Sequence, residues 1–230
     1  MRLNSKKNQR IGVLGGIGPE ASAYYYSLLI QRMQSRGLAQ TKPIPEIVIF
    51  NLSVKEMTQD KSSQEDLEPY VIGIAQLNKL NVDFIVMVCN TIHLYIDLLQ
   101  RGSKAPILNL IEATGLTLNQ DDVEKRILTL GTQQTIKSNL FKVNRGSQIK
   151  LSPDEIELLS NTIENFNRGI QKNIQREKVL SLIRSKNLSS NDLLVLGCTE
   201  FAVMLKDDDI LNKIDTVSIL VNLTIDNLTK

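Results

Sequence analysis

The chain contains two cysteines, Cys89 and Cys198, and a single histidine, His93. The two cysteines sit in matching local settings. Cys89 follows Ile85-Val86-Met87-Val88 and leads into Asn90-Thr91, whereas Cys198 follows Leu194-Val195-Leu196-Gly197 and leads into Thr199-Glu200. Two thiols can form a disulfide, bind metal, act on a substrate, or simply fill space as small hydrophobes. The basic start MRLNSKKNQR lacks a following apolar stretch, so no export signal is expected and a reducing cytoplasm disfavours a disulfide. A closed zinc site takes four ligands, more than two Cys and one His provide, so no metal is expected. Chemistry on a small molecule and simple packing as small hydrophobes remain. A cysteine at the end of a strand, opening a helix, gains from the free N–H groups there, which favour thiolate. His93, one helical turn beyond Cys89, either supports that ionisation or satisfies local hydrogen bonds.

Other small, polar clusters follow apolar runs in the same way. Gly15-Gly16-Ile17-Gly18-Pro19 follows Ile11–Leu14, Asn51 follows Ile47-Val48-Ile49-Phe50, and Gly131-Thr132 follows Ile127–Leu130. The glycine loop invites a dinucleotide reading. Gly12, Gly15, Gly16 and Gly18 do not spell G-x-G-x-x-G, however, and Asn51 stands where an acidic ribose ligand belongs. Backbone amides cradling a carboxylate suit the same loop.

The elements that must position these residues alternate from end to end. Runs such as Phe84–Val88 are apolar without alternation, the habit of parallel strands buried on both faces. Between them lie helical stretches from about Glu20 to Arg36, from Tyr70 to Leu80, and after Cys89-Asn90-Thr91 to about Arg101, with a polar loop over Val54–Glu68. The expected fold class is α/β: two similar domains, each a mainly parallel sheet flanked by helices, related by pseudo-twofold symmetry. The division falls near Pro106, giving domains 1–106 and 107–212. Residues 213–230, with Val217–Val221, are a candidate for crossing back to the first. Ligands gather at the carboxyl ends of such strands. Halves that face each other therefore bring Cys89 and Cys198 to opposite walls of one cleft.

A net charge of +2 is too small to point to nucleic acid or an anionic membrane. No apolar run reaches the length of a membrane span. With no tryptophan, the core falls to Ile, Leu and Val.

Taken together, Gly15-Gly16-Ile17-Gly18-Pro19-Glu20-Ala21-Ser22, Cys89-Asn90-Thr91-Ile92-His93, Gly131-Thr132 with Thr135, and Leu196-Gly197-Cys198-Thr199-Glu200 resemble the aspartate/glutamate racemase superfamily. The resemblance is to its aspartate racemase branch, where Glu200 stands in place of the histidine of glutamate racemases. It covers nearly the whole chain, in the family's order.

The resemblance implies a cofactor-independent amino-acid racemase, usually a homodimer, acting on aspartate or a related acidic amino acid. Cys89 and Cys198 are then the two catalytic acid–base groups, one thiolate and one thiol. Implied substrate-binding residues are Asn90, Thr91, Thr132 and Thr199, with Asn51, Gly16 and Gly18, while His93 and Glu200 support the thiols. Arg168, before Gly169, matches a basic residue that binds the distal carboxylate. A second basic residue is expected after Asn51, but Val54-Lys55-Glu56-Met57-Thr58 stands there without the usual Asp-Arg-Thr-like motif. Lys55 and Lys61 are the available substitutes. Hydantoin racemases, maleate isomerases and arylmalonate decarboxylases share the scaffold and remain alternatives, as does an amino-acid-binding protein of little turnover.

Overall fold

The computed structural model describes residues 9–41, 43–59, 61–120, 123–210 and 212–229. The basic start therefore lies largely outside the described residues. The first half runs β1 (Arg10–Gly15), α1 (Pro19–Ser35), α2 (Leu38–Thr41), β2 (Glu46–Asn51), α3 (Gln64–Lys79) and β3 (Phe84–Met87). A 3₁₀ turn (Thr91–Tyr95), α4 (Ile96–Gly102) and α5 (Leu110–Leu118) follow. The second half runs β4 (Lys125–Leu130), α6 (Gln133–Lys137), β5 (Gly146–Gln148), α7 (Pro153–Asn167), α8 (Lys172–Ser185), β6 (Leu193–Leu196), α9 (Thr199–Met204), β7 (Lys213–Asp215) and α10 (Thr216–Thr229).

Two parallel sheets repeat one plan. The first has the order β2-β1-β3 and the second β5-β4-β6-β7, with every pairing parallel. In the first sheet, Ile107 makes a single parallel bridge to Ile85 on β3, the place β7 takes beside β6. The Pro106 carbonyl accepts from the Ile85 N–H, and the Leu108 N–H donates to the Ile85 carbonyl, so the segment at the Pro106 break is bonded to the first sheet. The helices that follow these corresponding positions, α5 and α10, pack on each other. The fold is α/β, two related parallel sheets flanked by helices.

Strand β3 shows why its sequence lacks alternation. Phe84 and Val86 pack into one buried cluster, while Ile85 and Met87 pack into another on the opposite face. With both faces covered, every side chain must be apolar. Strand β5 is the opposite case: a three-residue edge strand, largely exposed, whose Gly-Ser-Gln carries no hydrophobic pattern to read. The carboxyl-terminal residues divide. β7 stays in the second sheet, while α10 lies along α1 of the first half, where buried Tyr25 and Thr224 share a 2.8 Å hydroxyl hydrogen bond. The largest core cluster joins α1, α10 and the second sheet, so the halves are fused through apolar packing. No helix among the described residues is long and apolar enough to cross a membrane.

Candidate active site

Helix α1 begins as its sequence requires. Pro19 takes the first helical position, where its missing N–H costs nothing. Before it, Gly16 has φ +86°, and a Cβ there would lie 2.2 Å from the Leu52 carbonyl. Its N–H donates to Ser22 Oγ at 3.0 Å, and that hydroxyl donates to the Gly18 carbonyl. The Gly16 amide is thus engaged within the loop. Gly18 permits a different approach: a Cβ there would fall 1.7 Å from Glu200 Oε1.

The two cysteines meet at one cavity. Cys89, just beyond β3, and Cys198, the N-cap of α9, are 7% and 5% exposed and both line it. Thr91 and Thr132, one from each half, line it too, and their hydroxyls lie 3.0 Å apart. Thr135 completes a hydroxyl cluster at 3.1 and 3.2 Å from them. Glu200 forms part of the wall. The free volume is only about 10 Å³, room for roughly one water molecule.

Its closure comes from the loop between β2 and α3. Met57 and Thr58 are buried and line the cavity with Glu56. Thr58 Oγ1 donates to Glu164 Oε1 of α7 at 2.7 Å, and Gln134 Nε2 of α6 donates to Ser62 Oγ at 3.0 Å. Both bonds join the loop to the opposite half. Ser63 then opens α3 with a reciprocal cap to Asp66. Sequence reasoning passed over Glu56, Met57 and Thr58, as well as Ile17 and Ile163, which also line the cavity. The available signal was Met57, a large apolar side chain inside a polar stretch.

The thiols differ from the expectation of a lowered pKa. Burial, with the nearby Glu200 carboxylate, pushes the Cys89 thiol up to about 12, against the pull of the Ile92 and Thr91 N–H groups and the Thr91 hydroxyl. Burial and Glu200 also raise Cys198 well above the ordinary thiol range. The reason is the shortness of the helical segments behind them, a 3₁₀ turn and the six-residue α9. Their N–H groups do not offset removal from water. Burial likewise raises Glu200, while bonds from Cys198, Asn167 and Thr199 oppose it. The Cys198 thiol donates to Glu200 Oε2 at 2.7 Å.

His93 is not positioned as a base. Its Nδ1 lies 2.7 Å from the Cys89 carbonyl and Nε2 3.4 Å from that of Leu108. Burial lowers its pKa to about 4, so near neutrality it is an uncharged brace between two backbone segments. Asn90 is buried, with Nδ2 donating to Thr216 Oγ1 at 2.9 Å, and it does not line the cavity. Thr199 is buried, does not line the cavity either, and donates to Glu200 at 3.3 Å. Asn51 is exposed at the end of β2, next to Gly16.

Arg168 lies away from the cavity. It caps the carboxyl end of α7, its side chain is 61% exposed, and it pairs with Glu164 one turn back. Lys55 and Lys61 line a neighbouring surface pocket with Glu65 and Asp66, which shares Glu56 and Met57 with the cavity. Among the described residues, no group of three His, Cys, Asp or Glu side chains is arranged to hold a metal ion.

Residues 14–224 match the family described as Asp/Glu/hydantoin racemase. The chain belongs to that family. Among curated relatives, it is 28% identical over 140 residues to the broad specificity amino-acid racemase RacX of Bacillus subtilis, a match covering 60% of this chain and 61% of RacX. The matched region thus spans about three fifths of that relative. Among solved structures, the aspartate racemase of Picrophilus torridus superposes with a TM-score of 0.72 at 22% identity, covering 96% of this chain and 95% of that one. An aspartate racemase homologue from Pyrococcus horikoshii gives 0.66 at 23%, covering 96% and 100%. The two-sheet racemase fold is shared with both. In this family member, the cavity between the sheets carries both cysteines.

Proposed function

We propose that the chain is a cofactor-independent amino-acid racemase, with Cys89 and Cys198 as its two acid–base groups. The observation that supports this most directly is that the two cysteines, from matching ends of two related sheets, line a single cavity. Inversion at an α-carbon removes a proton from one face and returns one to the other. A thiolate on one wall takes the α-proton and becomes a thiol. The thiol on the other wall gives its proton to the opposite face and becomes the thiolate.

With both thiols raised by burial, the first thiolate needs a source. The Cys198–Glu200 hydrogen bond offers one: the thiol proton passes to the carboxylate, leaving thiolate and a neutral acid. The pair's total charge is unchanged, so the transfer adds no buried charge. In the reverse direction, Cys89 is the abstracting thiolate, favoured by the N–H groups of Thr91 and Ile92.

The carbanion formed between these steps requires stabilisation. The Thr91 and Thr132 hydroxyls line the cavity and can rotate to donate to the substrate carboxylate, each oriented donor contributing roughly 3 kcal/mol in a site closed to water. An amino acid is far larger than the closed cavity, so the Met57–Thr58 loop must open for entry and return over the bound molecule. Closing then strengthens each electrostatic contact inside.

The test is α-proton exchange in D2O, followed by NMR and chiral chromatography, with no added cofactor. Exchange accompanied by inversion is expected, and Cys89→Ser and Cys198→Ser should each lose inversion by about 10²-fold or more. Inversion at the parent rate in either serine variant is the result that defeats this reading.

A further inference from the structure

We infer that the protein has a second ligand site, a groove beside the short strand β5. It takes a small anion with an apolar body, such as an aromatic carboxylate, and a ligand there restrains α6 and, through α6, the two-cysteine cavity. Binding at this groove stands apart from the racemase reading.

The groove exists because β5 stops short. In the first sheet, β2 accompanies β1 along its whole length, from Arg10 to Gly15. In the second, β5 pairs with β4 only over Lys125–Ile127, and the register beyond Ile127 runs to β6 alone. The uncovered flank of β4 opens a groove of about 630 Å³, against about 10 Å³ at the two cysteines. Sites for small ligands run from about 300 to 1,000 Å³. A hydrogen-bonded brace preforms this one. Thr129 Oγ1 donates to Gln148 Oε1 at 3.1 Å, and Gln148 Nε2 donates to the Phe141 carbonyl at 2.7 Å, tying β4, β5 and the loop after α6 together.

Charge selects the ligand. From Lys125 to Pro153 the chain carries six Lys and Arg and no Asp or Glu, in a protein whose net charge is only +2. Lys142 and Lys150 line the groove, and among the described residues neither side chain has an ion-pair or hydrogen-bond partner. No acidic side chain lines it among the described residues. Glu155, on the first turn of α7, is taken by Lys186 and by the Ser152 cap. Two cations above a wall that includes Ile136, Phe141, Val143 and Ile149 attract a negative group and cover an apolar body in one ligand.

One short helix separates the groove from the cavity. Thr135 and Ile136 of α6 line the groove. The Thr135 hydroxyl lies 3.1 and 3.2 Å from those of Thr91 and Thr132, which line the cavity. Gln134 of the same helix holds Ser62 of the covering loop at 3.0 Å. A ligand packed against α6 therefore favours the arrangement in which these contacts are made, and closure with it.

The experiment titrates the full chain with naphthalene-2-carboxylate and with 2-naphthylmethylammonium, read by amide chemical shifts in NMR. The carboxylate should bind about tenfold more tightly than the ammonium, with its largest shifts at Phe141, Val143 and Gln148. Lys142→Gln and Lys150→Gln should each weaken it by about threefold, since both side chains are exposed. Ser147→Trp fills the groove and should abolish binding, and a urea titration checks that this variant folds. At saturating carboxylate, alkylation of Cys89 and Cys198 by iodoacetamide should slow by about fivefold, the weight of one hydrogen bond. Equal binding of the two probes, no binding of the carboxylate, or affinities unchanged in both lysine variants would overturn the site. Alkylation at the parent rate with the carboxylate bound would overturn the restraint of α6. Protection that persists in Ser147→Trp would place the ligand at the cysteines and overturn both.

Discussion

The thiol of Cys198 donates a 2.7 Å hydrogen bond to Oε2 of Glu200, and both side chains are buried at the wall of one cavity. This contact makes Cys198 and Cys89 unequal. Cys198 has a carboxylate to receive its proton, whereas Cys89 has only backbone N–H groups and a threonine hydroxyl. Replacing Glu200 with Gln keeps the shape of the side chain and removes the acceptor charge. The variant is expected to lose inversion by about 10²-fold, with residual activity rising steeply toward alkaline pH as Cys198 ionises unaided. A pH–rate profile of Glu200→Gln against the parent checks this; an unchanged profile would assign Glu200 a packing role only.

The close approach of Gly18 to Glu200 gives a steric prediction. Gly18→Ala places a methyl group 1.7 Å from where Oε1 lies, so the carboxylate must move. A loss of about 1–3 kcal/mol in stability is expected from this overpacking, together with reduced inversion. Gly115→Ala is the contrasting case, since nothing lies within 4 Å of its Cβ position inside α5. That substitution should stabilise by about 0.5–1 kcal/mol. Chemical denaturation of the two variants separates them by sign.

The hydrogen bond from Thr58 to Glu164 fastens the loop that closes the cavity. Thr58→Val removes it at nearly constant volume and weakens closure by about 1 kcal/mol, which increases the open population about fivefold. Alkylation of Cys89 and Cys198 by iodoacetamide at fixed pH should accelerate by that factor. Equal labelling rates would mean that other contacts hold the loop.

His93 predicts a slope in acid stability. Its folded-state pKa is lowered from 6.5 to about 4 by burial. Between those values the unfolded chain binds a proton that the folded chain does not, so stability is full above 6.5 and falls as pH drops toward 4. The contribution approaches 1.4 kcal/mol per pH unit within that window. His93→Gln should flatten the decline relative to the parent in urea titrations at pH 4–7.

Cys89 predicts the opposite side. Its folded-state pKa is raised from 9.0 to about 12, so the unfolded chain releases the proton first. Its stabilising contribution is intact below 9 and is lost as pH rises toward 12. Cys89→Ala should show a shallower alkaline loss than the parent, by up to about 1.4 kcal/mol per pH unit.

Local sequence determined much of this protein. Apolar runs without alternation marked β1, β3, β4 and β6 as doubly buried strands, because a strand covered on both faces leaves little room for a polar side chain that lacks a hydrogen-bond partner. The repeated strand–Cys–polar pattern announced two related halves with a thiol at the end of each. The glycines before Pro19 indicated a tight loop opening a helix. The surroundings of those groups were decided by tertiary packing. Which charge reaches the cavity depends on how the loop after β2 folds across to α7, and that brings Glu56 to the wall while Arg168 and Lys55 lie outside. The acidity of Cys89 and Cys198 likewise reversed direction because helix N–H groups are local, whereas burial is contributed by the whole fold. Periodicity fixes where a backbone runs; the field at a side chain depends also on burial and on partners distant in the chain, which no short segment encodes.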